Sequence, residues 1–290
     1  MTLLVRAPGP SATVQDLGRP GRAGDGVGPS GAADRGALRL ANRLVGNAEG
    51  AAGLEVVLGG LRLATDRPAV LAVTGAPCPV TVDGQPRGHR AALVLHPGEE
   101  LRLGTAPAGL RAVVAVRGGI TVPPVLGSRA TDVLAGLGPP PLTAGTRLPV
   151  GPPPAAAPYG EVAPGPDPVA GTLALQVVLG PRDDWFTPAA VASLLQQTWT
   201  VSPDADRVGL RLTGTPLERG RTGELPSEGL VRGALQVPPS GLPTLVLADH
   251  PLTGGYPVVA VLLEDDADRA AQARPGQALR LRAAGRGPLA

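Results

Sequence analysis

Apolar positions along this chain come in short runs, and Gly or Pro punctuates nearly all of them. Leu54 to Leu58, Val70 to Val73, Val80 to Val82, Ala92 to Leu95, Leu101 to Leu103 and Val113 to Val116 occupy the first half. Leu173 to Leu179, Leu245 to Leu247, Val258 to Leu263 and Leu279 to Leu281 occupy the second. Short apolar segments bounded by turn residues predict β-strands. Asp83-Gly84, directly after Val80-Thr81-Val82, predicts a two-residue hairpin, because both central positions of such a turn need positive φ. Strands at this spacing favour packed or closed antiparallel sheets, a β-sandwich or β-barrel, over a parallel sheet flanked by helices.

Three stretches break the strand pattern. From Asp34 to Val45, the residues Ala37, Leu38, Ala41, Leu44 and Val45 recur at helical spacing, and Gly46 supplies the stop. Thr187-Pro188 reads as an N-cap followed by proline at the first helical position, with Val191, Leu194 and Leu195 on one face. A third, short helix is expected from Asp266 to Ala273, ending before Pro275-Gly276. Residues 149–168 (PVGPPPAAAPYGEVAPGPDP) hold too many prolines for regular hydrogen bonding and predict an extended linker. The expected organisation is a first domain over 1–150, a linker over 151–168 and a second domain over 169–290. An internal echo agrees with it: Pro97 to Leu103 (PGEELRL) returns as Pro275 to Leu281 (PGQALRL), each copy expected to be a closing strand of a similar β-domain.

Composition narrows the possible functions. With 43% hydrophobic and 17% charged residues, the chain can bury a core and lacks the signature of disorder. The formal charge is +2, and all 26 basic residues are Arg. They are scattered, beside 42 Gly and 35 Pro, and read as compositional bias rather than a phosphate-binding patch. Without Lys the chain can supply no Schiff base, Walker-type lysine or lysine base, so ATP chemistry is expected on another chain. Tyr159, Trp185, Phe186, Trp199 and Tyr256 are the whole aromatic set, too few for a base-stacking platform, and nucleic-acid binding is not expected. The single Cys78 excludes an intrachain disulfide and a multi-cysteine zinc site, and is expected in the core. Met1 to Pro10 carries no basic and then apolar leader, and no apolar run reaches a membrane span, so a cytoplasmic protein is expected.

Polar residues gather beside glycines in both halves. In the first, loop glycines around Gly18, Gly21, Gly28 and Gly31 suit a backbone bent close to a ligand, with Ser30 and Asn42 as candidate substrate contacts. Ordinary turn chemistry is the plainer reading, with Asp34 capping the helix. In the second half stand Arg207, Glu228, Gln236, Asp249 and the run Thr253-Gly254-Gly255-Tyr256. An arginine fork suits a carboxylate, a carboxamide suits an amide, and Glu228 or Asp249 can polarise a group or transfer a proton. The Thr253-Gly254-Gly255 backbone can meet an oxyanion. Asp249 has an equally good reading as a turn cap. His89, His96 and His250 are dispersed, and no metal is expected. Gly136-Leu137-Gly138 precedes prolines rather than a helix and reads as a turn, not a phosphate loop. Glu264, Asp265, Asp266 and Asp268 read as a helix N-terminus.

Nine segments in order carry a resemblance. They are Gln15 to Gly21 (QDLGRPG), Pro29 to Asp34 (PSGAAD), Ala41 to Asn47 (ANRLVGN), Leu126 to Asp132 (LGSRATD) and Gly180 to Phe186 (GPRDDWF). Asp206 to Leu212 (DRVGLRL), Ser227 to Gly229 (SEG), Gln236 to Gly241 (QVPPSG) and Leu252 to Pro257 (LTGGYP) complete the set. Together they resemble the biotin-dependent carboxyltransferase, or allophanate hydrolase subunit 2-like, family over about Val5 to Leu281. The resemblance implies a mainly β fold of two cyclophilin-like β-barrel domains with a few short helices. Free-standing members of this length serve as one subunit of an ATP-dependent 5-oxoprolinase, a hydrolase that with subunits A and B opens 5-oxoproline to L-glutamate. It implies no cofactor on this chain, ATP used by the complex, and no activity for the chain alone. Arg207 would then meet the substrate carboxylate, while Gln236, Glu228, Asp249 and the Gly254-Gly255 backbone serve the amide. Fused relatives form the carboxyltransferase part of urea carboxylase, and others antagonise a kinase inhibitor. Val258 stands where relatives often carry a basic residue, and no lysine for biotin attachment is present, which points away from carboxyl transfer. Pro251 and Leu252 replace polar residues that relatives tend to carry before the Thr-Gly-Gly.

Overall fold

The strand Arg111–Val116 is buried along its whole length, which explains why RAVVAV lacks the apolar and polar alternation of a half-buried strand. Ala112, Val114 and Val116 join a core shared by two sheets, whereas Val113 and Ala115 lie with Ala37, Leu38 and Ala41 of the helix Arg35–Leu44. The structure is a computed structural model that describes residues 1–158, 162–165, 168 and 170–284. Part of the proline-rich stretch expected to be extended, at 159–161, 166 and 167, lies outside the described residues. By contact the chain forms two units, Met1–Arg22 with Pro29–Pro168, and Ala23–Gly28 with Val169–Ala290. The proline-rich segment goes with the first: Arg117 donates to Pro154 O at 2.6 Å, and Ala163 N donates to Arg90 O at 2.8 Å.

In the first unit a six-stranded sheet runs in the order Arg147–Pro149, Thr2–Pro8, Leu61–Thr65, Leu101–Leu103, Val80–Val82, Gln85–Arg87. A five-stranded sheet runs Ser11–Gln15, Gly53–Val57, Arg111–Val116, Ala69–Gly75, Ala92–Leu95. Inward residues of both, among them Val5, Leu63, Leu101, Val56, Leu71 and Val114, form one core. The hairpin at Asp83-Gly84 is present, with φ of 46° and 78°, and its outer strand Gln85–Arg87 is exposed and carries Pro86, which blocks further pairing at that edge. The helix Arg35–Leu44 starts where expected, because the Asp34 side chain accepts from Ala37 N at 2.8 Å, and Gly46 follows it at φ 74°.

The second unit closes into a seven-stranded barrel, in the order Leu173–Leu179, Val258–Leu262, Ala234–Gln236, Thr244–Val246, Gly209–Thr213, Trp199–Val201, Ala278–Ala283. A parallel pairing of Leu173–Leu179 with Ala278–Ala283 completes the ring. The second copy of the echoed heptapeptide therefore supplies a closing strand, as expected. The first copy does not: Leu101–Leu103 is an interior strand between Leu61–Thr65 and Val80–Val82, because the sheets of that unit are open. Thr187 caps the helix Pro188–Gln196 by accepting from Ala190 N, and Leu194 O receives the indole N–H of the fully buried Trp199 at 3.1 Å. The helix Glu264–Ala270 begins two residues before the expected Asp266, so that the acidic cluster fills its first turn, where the helix dipole favours negative charge. Its Asp266 also accepts from Gln176 N at 2.6 Å, which fastens it to the barrel. The fold is thus mainly β with three short α-helices among the described residues.

Candidate functional site

The second-half candidates fall into two groups, and the first lies at strand ends of the barrel. Asp206 Oδ1 accepts from Val208 N (2.7 Å) and Gly209 N (3.0 Å), a local turn that sets Arg207 at the mouth of the strand Gly209–Thr213. The neighbouring strand Thr244–Val246 continues past its ladder, with Leu247 N donating to Val208 O and Asp249 N to Arg207 O. Arg207 and Asp249 are therefore placed side by side. Arg207 Nε donates to Asp249 Oδ2 at 2.9 Å and Nη2 to Oδ1 at 3.0 Å, with both residues buried. The sequence nominates Asp249 as a catalytic or turn-capping carboxylate and Arg207 as the group for a substrate carboxylate; in the structure each engages the other.

The next turn of chain makes the open part of the site. Glu228–Gly229 pairs with Thr253–Gly254 in a two-stranded ribbon, with Glu228 opposite Gly254, and Leu230 N extends it by donating to Leu252 O at 2.8 Å. Gly254 lies close against Gln236: a Cβ on it would stand 2.3 Å from Gln236 Nε2, so the carboxamide would have to move. That carboxamide donates to Tyr256 O at 3.1 Å, and Tyr256 itself is half-exposed. Gln236, buried on the strand Ala234–Gln236 beside a register shift, is thus the floor under the Thr253-Gly254-Gly255-Tyr256 segment. Glu228 takes a second arginine fork: Arg182 Nε lies 2.9 and 3.0 Å from its two oxygens, and Nη2 also donates. Hydrogen bonding to Arg182, and then its charge, hold the Glu228 carboxyl below the ordinary value of 4.5 despite some desolvation. His250 is buried with Nδ1 2.8 Å from Pro251 O, and Gly28 approaches it so closely that a Cβ would lie 3.1 Å from His250 O.

Ser30 and Asn42, also expected at the substrate, belong to the first unit and are fully buried. Asn42 donates to Glu49 O (3.0 Å) and Ala51 O (2.7 Å) and accepts from Asn47, so its side chain pins the loop after the helix. Ser30 sits at φ 50° with Oγ 3.4 Å from Thr131 O. Gly18 and Gly31, two of the glycines expected to approach a ligand, lie against other backbone, while Gly21 is open. A Cβ on Gly18 would lie 2.2 Å from Pro29 O, and one on Gly31 would lie 2.6 Å from Gly18 N. Around them Asp16 accepts from Gly18 N, Ser128 Oγ and Arg129 N, while Arg19 donates to Ala130 O at 2.6 Å and sits 3.5 Å from Asp132. Asp16, Arg19, Ser30, Ser128 and Asp132 thus tie the segments 15–21, 29–34 and 126–132 together through buried side chains. Among the described residues no three His, Cys, Asp or Glu come together to hold a metal ion. No helix among them is long and apolar enough to cross a membrane.

The family model of the carboxyltransferase domain, subdomain A and B, matches residues 25–283. The chain belongs to this family. Within the family's sequences, the chain is 36% identical over 280 residues to the C subunit of 5-oxoprolinase from Escherichia coli, covering 96% of this chain and 89% of that protein. The protein of the same name from Haemophilus influenzae is 32% identical over 278 residues, covering 94% and 88%. The crystal structure of K. lactis urea amidolyase is similar at a TM-score of 0.90 and 28% identity, over 97% of this chain but only 18% of that one. Arg182, which pairs with the candidate Glu228, has no role in the sequence reasoning, although it stands in the motif Gly180 to Phe186. The available signal is a lone guanidinium after a Gly-Pro turn, with Glu228 needing a counter-ion.

Proposed function

We propose that this chain is the C subunit of an ATP-dependent 5-oxoprolinase, which with subunits A and B hydrolyses 5-oxo-L-proline to L-glutamate. The observation that carries this reading is the near full-length match to the Escherichia coli protein, 96% of one chain against 89% of the other. Opening a lactam requires polarising its carbonyl and delivering a proton to its nitrogen. The backbone of Gly254 and Gly255 and the Gln236 carboxamide are the groups suited to the amide, and Glu228 is the accessible carboxylate beside them. The buried Arg207–Asp249 fork fixes the strand ends from which this loop springs. The chain has no Lys and supplies no nucleotide loop, so ATP is bound and used by the partners, and no cofactor is held here.

Carboxyl transfer is the second reading, favoured by the family and by the likeness to urea amidolyase. Combining the purified chain with its partner subunits separates the two. ATP-dependent formation of glutamate by the complex, with none from the chain alone, supports the proposal. Bicarbonate-dependent carboxylation of urea in the presence of a biotin carrier, or a complex silent in every combination, would overturn it.

A further inference from the structure

Gly180 N donates to Val259 O at 3.0 Å and Arg182 N to Val258 O at 2.9 Å, so the arginine's backbone is fastened to a strand of the closed barrel. Its present partner is on a weaker support. Glu228 lies on a ribbon of two residues per strand, and a Cβ added to its neighbour Gly229 would meet nothing within 4 Å. Both side chains are accessible, Arg182 at 38% and Glu228 at 30%, whereas the other fork of this unit is sealed, Arg207 at 9% and Asp249 at 0%. Asp184, an acid on the same turn, is paired with Arg221 at 2.7 Å.

We propose that Arg182 is the receiving group for the carboxylate of a small, amide-bearing acid, and that Glu228 occupies it as an internal stand-in until that ligand arrives. A guanidinium already forked on a carboxylate has the orientation that a second carboxylate needs. A half-buried pair is reached by water and salt and exchanges more readily than a sealed one. The amide end of the ligand has its own neighbours: residues paired across a β-ladder lie about 5 Å apart, so Gly254 stands beside Glu228, and Gln236 stands under Gly254. Arrival of the ligand carboxylate releases the Glu228 carboxylate next to the amide. The choice of 5-oxoproline as that acid rests on the 5-oxoprolinase reading; the carboxylate site does not.

The test is calorimetric titration of the full chain with 5-oxo-L-proline and with its neutral carboxamide counterpart. The acid should bind the parent. Arg182→Gln should weaken it on the order of tenfold or more, Arg182→Lys less, and Glu228→Gln, which weakens the internal competitor, should tighten it several-fold. The neutral compound should be indifferent to all three. No measurable binding of the acid by the parent, binding by Arg182→Gln within about twofold of the parent, or weakening by Glu228→Gln as large as by Arg182→Gln would each overturn the proposal. A complex that turns over 5-oxoproline with a KM unmoved by Arg182→Gln removes this site and leaves the proposed function standing. Arg182-dependent binding in a complex without turnover does the reverse.

Discussion

The second unit contains two arginine–carboxylate forks, Arg207 with Asp249 and Arg182 with Glu228, alike in chemistry and opposite in surroundings. In the first, the side chains are 9% and 0% exposed; in the second, 38% and 30%. Removing one member of a buried pair leaves the other charge away from water, at a cost of about 3–5 kcal/mol. A half-buried pair is held less tightly, because solvent reaches and screens it. The same residue types therefore do different work. The buried fork secures the ends of two barrel strands, and the half-buried one keeps a charge accessible beside the Gly254 loop. Residue type alone nominates Arg207, Asp249 and Glu228 for chemistry and passes over Arg182; only burial separates the brace from the candidate site.

The sharpest way to break this comparison is Asp249→Ala. It should lower stability by about 3–5 kcal/mol, and at roughly 2–4 °C per kcal/mol that is a melting-temperature drop on the order of 10 °C. A calorimetric shift below about 2 °C would mean that the pair does not hold these strand ends. Gly254→Ala comes next, and it acts on the chemistry rather than the fold. The new Cβ would stand 2.3 Å from Gln236 Nε2, so one of them must move. A displacement near 1 Å costs about 10²-fold in turnover, measured on the reconstituted complex, with the melting temperature nearly unchanged. Turnover equal to the parent would remove Gln236 from the site.

Glu228→Gln should leave the melting temperature close to the parent's, in contrast to Asp249→Ala. At about 1 M salt, where the screening length is about 3 Å, parent and variant should converge further. A drop comparable to that of Asp249→Ala would erase the distinction between the forks. The smallest effect is in the acid limb of the stability profile. Because Arg182 lowers the Glu228 carboxyl, the stabilisation from this group is complete above 4.5 and is lost as pH falls through its lowered value. Glu100, lowered in the same way by Arg62, titrates in the same limb, so Glu228→Gln should flatten only part of the slope. His89 acts at higher pH: burial, and then Arg90, lower its imidazole from 6.5, so its contribution is lost as pH falls below that value. Identical acid slopes for parent and Glu228→Gln would mean that the half-buried fork is not formed in solution.

Local features of the fold were legible because local chemistry decides them. Asp83-Gly84 specifies its hairpin, Asp34 and Thr187-Pro188 specify helix starts, and Leu173–Leu179 is apolar enough to read as a strand. Strands such as Trp199–Val201 and Gly209–Thr213 were not legible, since each is short and mixes polar residues into the run. The candidate residues could be named singly, Arg182 excepted, but not their arrangement. Arg207 and Asp249 are 42 positions apart, and Arg182 and Glu228 are 46 apart; their pairing depends on which strand ends the closed barrel makes adjacent. In the first half the polar and glycine-rich motifs were legible too, but they are equally the signature of segments tied to one another, which is what Asp16, Ser128 and Arg129 make of them.

The most direct measurement titrates this chain into a fixed amount of subunits A and B and follows glutamate formed from 5-oxo-L-proline together with ATP consumed. The account predicts no glutamate at zero chain, a rise to saturation at stoichiometric chain, and coupled loss of ATP. The same rate of glutamate formation with and without the chain would contradict it.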